Sequence, residues 1–233
     1  MILAGIVAGG TGTRMGGSLP KQFYDLNGKP VLIRTAACFL NHPRIDAVII
    51  GIHPDWYEEA QRHLRQYFPD NPGIHLTCGG SDRNETVCHL ISFAQKNLSC
   101  SDSDIILTHD AVRPFVTERM ITESICAMEQ YAVCTAVIPE TDTVVVSQNG
   151  STANDFPDRS TLFRVQTPQT FRVGSFLRLY QRMSTEERQR TTDVCRLYQS
   201  NGYEVGLISG EQTNIKLTYP LDIRLAQLMA QDE

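Results

Sequence analysis

The chain has no apolar run approaching the roughly 20 residues needed to span a bilayer, and its N-terminus lacks a basic segment followed by an apolar core and cleavage site. No membrane partner and no signal peptide are expected, and the expected location is the cytoplasm. The cysteines at 38, 78, 88, 100, 126, 134 and 195 form no C-x-x-C pair and no metal-ligand cluster with the histidines. An odd number of thiols in such a chain is expected to stay reduced. Excess positive charge is lacking too: the net charge is -5. That balance argues against nucleic acid as a partner, and any anionic substrate must be drawn in by a local basic pocket rather than by the overall field. No Ser/His/Asp or Cys/His arrangement suggests a covalent intermediate. Internal repeats and low-complexity linkers are also missing. What remains is an ordinary globular composition, 41% hydrophobic and 20% charged over 233 residues, long enough for one large α/β domain with a sizeable core.

The apolar run 2–8 reads as a buried strand, and it leads into Gly9, Gly10, Gly12, Gly16 and Gly17. Glycine at that density is costly inside helices and sheets but suits tight turns. The same loop carries Arg14 and Lys21. Backbone N–H groups in a glycine loop can approach phosphate oxygens closely, and the cations neutralise their charge. Two familiar phosphate fingerprints fail. After Gly10 and Gly12 a dinucleotide loop needs glycine where Met15 stands, and a Walker A loop needs lysine where Ser18 follows Gly17. Hydride transfer and P-loop hydrolysis lose support together.

Beyond the loop, helices are expected at 30–40, 55–67 with Asp55 as cap, 85–96, from Thr117 onward, 173–183, 193–199 and from Pro220. Strands are expected at 47–52, 74–78, 105–108, 132–138 and 204–208. This alternation predicts an α/β fold with a mostly parallel sheet covered on both faces. The rhythm breaks at about 139–170. Strand-like runs at 143–146 and 162–167 flank a polar, turn-rich stretch, which reads as a β-hairpin arm inserted into a single domain.

Polar clusters fall just after strands: Arg14 and Lys21, then Asp82 and Arg83, then Asp110 and Arg113. In an open α/β sheet the loops at the carboxyl ends of strands form one crevice. Asp110 could hold Mg²⁺ or a substrate hydroxyl, or could simply pair with Arg113. His109 reads as structural, and Asp193 as a helix cap rather than a ligand. Lys216, in an apolar β-like run at 214–218, is either an edge residue or a buried phosphate contact. These parts suit direct phosphoryl or nucleotidyl transfer, in which a protein positions and neutralises.

A-G-G-T-G-T-R-M with P-K-Q-F, G-G-S-D-R-N-E-T, H-D-A-V-R-P-F, D-T at 142–143, Q-T-P-Q-x-F and T-N-I-K-L-T together resemble the cytidylyltransferases that act on polyol phosphates, nearly end to end. The resemblance implies a three-layer α/β/α Rossmann-like fold, a homodimer through the arm, CTP and a polyol phosphate as partners, and Mg²⁺ as cofactor. It also implies that Ala8, Gly9, Gly10, Gly80, Ser81 and Thr86 line the cytosine and ribose pocket, with Gly12, Thr13 and Arg83 in the same nucleotide-binding set. Arg14 and Lys21 would hold the triphosphate, and Lys216 would stabilise the attacked α-phosphate. Asp110, Arg113, Thr143, Thr167 and the neighbouring subunit's Arg159 would bind the polyol phosphate. Ala8-Gly9-Gly10, where the isoprenoid branch usually has Ala-Ala-Gly, is more similar to the ribitol branch, which supplies CDP-ribitol for teichoic acids or capsules. The methylerythritol-phosphate branch stays open, and a non-catalytic nucleotide-binding module is the reading from a different class.

Overall fold

Seven strands form the main sheet of this computed structural model, which describes residues 1–10, 19–191 and 193–231. In chain order β1 is Ile2–Ala8, β2 Asp25–Leu26, β3 Lys29–Pro30, β4 Ala47–Ile52, β5 Ile74–Cys78, β6 Ile105–Asp110, β7 Val133–Pro139, β8 Phe163–Arg172 and β9 Val205–Ser209. The helices are α1 Val31–Leu40, α2 Tyr57–Tyr67, α3 Arg83–Asn97, α4 Glu118–Cys126, α5 Val173–Arg182, α6 Thr185–Arg190, α7 Val194–Ser200 and α8 Pro220–Met229. The sheet order is β5-β4-β1-β6-β8-β7-β9, while β2 and β3 pair separately. All main-sheet pairings are parallel except those of β8, which runs antiparallel between β6 and β7.

The apolar runs become strands because both of their faces are buried. Ala4, Ile6 and Ala8 of β1 join Val48, Ile50 and Ile52 of β4 in one core layer, while Leu3, Ala47 and Ile49 belong to the other. Successive strand residues point to opposite faces, so a strand covered on both sides needs apolar residues at every position. Residues of α1, α2 and α4 close the first layer, and residues of α3, α5 and α7 the second. At Gly51 a Cβ would lie 2.7 Å from Thr86 Cγ2, so glycine lets the start of α3 settle directly on the sheet. This close approach brings Thr86 to the sheet's upper edge.

The chain leaves β1 for β4 and β5 on one side, then returns to β6 on the other. A topological switch of this kind opens a crevice above the carboxyl ends of β1 and β6, where ligands bind in open α/β sheets.

Several expectations change. Asp55 does not cap α2: Pro54–Trp56 form a 3₁₀ turn begun by His53, and α2 starts at Tyr57 with no side-chain cap. The 162–167 run is not an arm strand but the front half of β8, buried from Gln166 to Phe171. The run 143–146 forms no strand; the arm has one isolated bridge, Val146 with Asp155, and is otherwise held by turn and side-chain hydrogen bonds such as Ser147 Oγ to the Thr152 carbonyl. The arm is therefore confined to residues 140–162, because β8 finds two neighbours in the sheet while the 143–146 run pairs only through that one bridge. Residues 214–218 are irregular rather than extended, and Lys216 is exposed there, not buried. The polar helix α6 shows no apolar periodicity in sequence; a reciprocal capping box between Ser184 and Glu187 fixes its start.

Candidate active site

The crevice at the switch point contains two adjoining cavities. The first, about 270 Å³, is lined by Ala8, Gly9 and Gly10 after β1, by Lys21, by Gly80, Ser81, Arg83 and Thr86 around the start of α3, and by Asp110 and Lys216. The Gly79–Asp82 turn is held from below. Thr86 Oγ1 accepts the Gly80 amide at 3.0 Å, and Glu85 accepts both the amide and the hydroxyl of Ser81 at 2.7 and 2.6 Å. A Cβ on Gly80 would collide with the Glu85 side chain, so this tight arrangement requires glycine. Asp82 caps α3 by accepting the Glu85 amide at 2.8 Å. Across the cavity Gln22, almost fully buried, donates to the carbonyls of Ala8 and Gly10 and ties the chain after the glycine loop to the end of β1.

The second cavity, about 360 Å³, is lined by Arg83, Asp110, Arg113, Gln166, Thr167, Gln169, Asp193 and Lys216. Arg83, Asp110 and Lys216 therefore border both spaces, and Asp110 is the hub between them. Lys216 Nζ lies 2.8 Å from Asp110 Oδ2, Arg113 Nε 3.6 Å from the same oxygen, and an Arg83 guanidinium nitrogen 3.4 Å from Oδ1. Burial pushes the Asp110 carboxyl up, but Arg83 and Lys216, followed by Arg113, outweigh it and hold it well below the ordinary carboxylate range. The Lys216 segment is anchored through Asn214, fully buried, which donates to Gln166 Oε1 and to the Thr167 carbonyl, while Arg113 donates to the Asn214 carbonyl at 2.7 Å.

His109, fully buried behind this cluster, is structural, as its place at a strand end implies. Its Nε2 bonds the Arg113 carbonyl at 3.0 Å, so the proton is on Nε2 and Nδ1 accepts from the Thr167 hydroxyl at 3.0 Å. Thr167 Oγ1 accepts the Asp110 amide in turn. Burial pushes the His109 imidazole down to about 4. A depressed folded pKa means that this group's stability is fully present above the unfolded value near 6.5 and is lost as pH falls toward 4. Urea unfolding of wild type should lose about 3 kcal/mol between pH 7 and pH 4 from this group alone. That share should vanish in His109→Gln, and an identical pH slope in both proteins would rule it out.

The donor set does not fit a metal held by Asp110. No group of three or more His, Cys, Asp or Glu side chains that could hold an ion occurs among the described residues, and both Asp110 oxygens face cations.

Of the residues singled out by sequence, the first cavity gathers Ala8, Gly9, Gly10, Lys21, Gly80, Ser81, Arg83 and Thr86; Arg113 and Thr167 border the second. Gly12, Thr13 and Arg14 lie outside the described residues. Thr143 and Arg159 do not reach either cavity of their own chain; both are exposed on the arm, where Arg159 donates to the Thr141 carbonyl at 2.9 Å. Sequence reasoning missed Gln22, Gln166 and Asn214 as lining or supporting groups. Gln22 stands in P-K-Q beside Lys21 and Asn214 two residues before Lys216, and that adjacency was the available signal.

Comparison with known proteins agrees with this fold. The family model described as IspD, 2-C-methyl-D-erythritol 4-phosphate cytidylyltransferase, matches residues 2–232. The chain belongs to the IspD family. Relatives of this family member include the ribitol-5-phosphate cytidylyltransferases of Streptococcus pneumoniae serotype 2 strain D39 and of strain R6, each 40% identical over 235 residues and covering 100% of both chains. Its sheet and helices also match the solved structure of 4-diphosphocytidyl-2C-methyl-D-erythritol synthase from Anaerococcus prevotii, with TM-score 0.80, 24% identity, and 99% and 96% of the two chains covered. The 2-C-methyl-D-erythritol 4-phosphate cytidylyltransferase of Thermus thermophilus gives TM-score 0.75 at 25% identity, covering 99% and 100%. The relatives are nucleotidyltransferases by name, and the α/β fold of the IspD-family chain is that of the solved enzymes. No helix among its described residues is long and apolar enough to cross a membrane.

Proposed function

We propose that this IspD-family chain joins CTP to D-ribitol 5-phosphate, giving CDP-ribitol and pyrophosphate. The observation that carries the reading is that Arg83, Asp110 and Lys216 border both cavities. A nucleotide whose base and ribose rest against Ala8–Gly10, Gly80, Ser81 and Thr86 places its α-phosphate at that seam, facing an acceptor phosphate in the second cavity. An acceptor phosphate oxygen attacks the α-phosphorus in line and pyrophosphate leaves opposite. No general base is required, because the attacking oxygen is already ionised at neutral pH. Lys216 stabilises the charge that develops at the α-phosphate, and Arg14 and Lys21 hold the leaving triphosphate end. Mg²⁺ would enter with the nucleotide rather than through a protein ligand set, and the chemistry it would supply is charge neutralisation. Ribitol 5-phosphate is preferred over methylerythritol phosphate because the relatives similar at 40% over their full length carry that name. A role in teichoic acid or capsule synthesis, a cytoplasmic location and the absence of nucleic-acid partners belong to the same proposal.

The test is pyrophosphate release with CTP and Mg²⁺. Turnover is expected with ribitol 5-phosphate and far less with 2-C-methyl-D-erythritol 4-phosphate. Turnover with the second alone would transfer the chain to the other branch, and turnover with neither would leave a nucleotide-binding module.

The arm supports a homodimer with shared sites. Val145, Val146, Phe156 and Phe163 are 46%, 46%, 66% and 47% exposed on or beside it, an apolar set that a second copy of the same surface would cover. Arg159 would then serve the neighbour's acceptor phosphate. Arg159→Ala and Lys216→Ala homodimers should each be nearly inactive. Mixed dimers concentrate both defects in one site and leave the other intact, so subunit exchange should restore activity up to about half per heterodimer. A mixture that stays dead despite proven exchange would confine Arg159 to its own subunit.

A further inference from the structure

The second cavity contains a carboxylate that phosphate binding does not explain. Asp193 caps α7 by accepting the Arg196 amide at 3.1 Å through Oδ1, as its sequence context implies. Its other oxygen, Oδ2, accepts from Gln169 Nε2 at 2.7 Å, and both residues line the cavity beside Arg83, Arg113 and Lys216. Gln169 is 1% exposed, and its orientation is determined: turned over, its Oε1 would face the carboxylate, acceptor against acceptor. No ion pair among the described residues includes Asp193, so neutral donors hold its charge in place without cancelling it. In the same cavity the Thr167 hydroxyl is already spent as a donor on His109 Nδ1, so it offers only a lone pair. The cavity thus combines two kinds of wall. Arg83, Arg113 and Lys216 supply cations, while Asp193 and Thr167 supply acceptors only.

We propose that Asp193, oriented by Gln169, is the specificity-determining residue for the acceptor's hydroxyl chain. A carboxylate repels the phosphate end of the acceptor and accepts from hydroxyl donors, so it directs the phosphate to Arg83, Arg113 and Lys216 and binds the polyol tail. An acceptor with a methyl group or a second anion at that place would leave a buried acceptor unmatched or meet like charge. Sites built to bond a hydroxyl discriminate strongly against groups lacking one. The inference rests on the polyol-phosphate reading above and deepens it by naming what reads the polyol.

The test uses Asp193→Asn and Asp193→Ser, because both replacements serve well as N-caps and preserve the start of α7. Three quantities are compared with wild type: KM for ribitol 5-phosphate, KM for CTP, and inhibition by inorganic phosphate competing with the acceptor. Inorganic phosphate carries the anion without the tail. The acceptor KM should rise by about ten- to a hundredfold, the range expected for one lost hydrogen bond to a charged group. The CTP KM should stay within about twofold, and inhibition by inorganic phosphate should hold or strengthen, because the anion loses a repelling charge and no hydrogen bond. An unchanged acceptor KM overturns the proposal, and so does a parallel shift of all three quantities, which would mark Asp193 as merely structural. Should wild type use methylerythritol 4-phosphate alone, the ribitol reading fails separately, and the same three comparisons with that acceptor decide the role of Asp193.

Discussion

Lys216→Ala is expected to lower kcat by about a hundredfold or more, with little change in the KM for CTP. That is the scale of losing one preorganised stabiliser of charge that develops only in the transition state. Lys216 borders both cavities, at the seam proposed above for the α-phosphate. Asp110, 2.8 Å from its ammonium, and the buried anchor Asn214 hold it there before substrate arrives. Lys21 differs in position. It is 8% exposed and borders the first cavity alone, so Lys21→Ala should raise the KM for CTP more than Lys216→Ala does. Steady-state kinetics of the two variants separates the roles. Equal losses of CTP affinity at unchanged kcat would mean that both lysines only hold the ground state.

Asp110→Ala is expected to cost about 3–5 kcal/mol of folding stability, the range for removing one partner of a buried ion pair. The loss falls mainly on Arg113, whose side chain is 10% exposed and has no route to solvent comparable to that of Lys216, at 44%. Burial already lowers the Arg113 pKa against the opposing effect of Asp110. Urea unfolding should therefore show a much smaller penalty for Asp110→Ala in an Arg113→Met background, because the stranded charge is gone. A penalty below about 1 kcal/mol in the wild-type background would show that the hub does not stabilise the fold. Activity should fall as well, since Lys216 and Arg83 lose the carboxylate that holds them at the seam.

Much of the layered architecture was readable in the linear order of residues. The runs at 2–8, 47–52 and 132–138 are apolar at nearly every position because strands covered by helices on both sides bury both faces, and such runs announce themselves without knowledge of their neighbours. The glycine turns and the cations after strands were equally visible, since the end of a strand is a local event and the sheet's polarity brings those ends together. Thr117 and Asp193 as caps follow from the same locality: a capped amide lies only three residues away.

The tertiary structure alone decided the rest. Gln166, Thr167, Gln169 and Thr170 of β8 are polar and read from sequence as part of the inserted arm, yet they are almost fully buried between β6 and β7. Hydrophobic periodicity reports burial only where the buried groups are apolar. A strand that lines a polar cavity breaks that correspondence, and its partners are distant in sequence: Asp110 for Thr167, Asn214 for Gln166, Asp193 for Gln169. The Arg113 carbonyl that holds the His109 tautomer is only four residues away, but the Thr167 hydroxyl that meets Nδ1, and with it the acceptor character of Thr167, arrives only when β6 and β8 pair. Local spacing encodes caps, turns and buried strands because their interactions close within a few residues. A polar site assembled across the sheet is closed by contacts between remote segments, and those exist only in the folded chain.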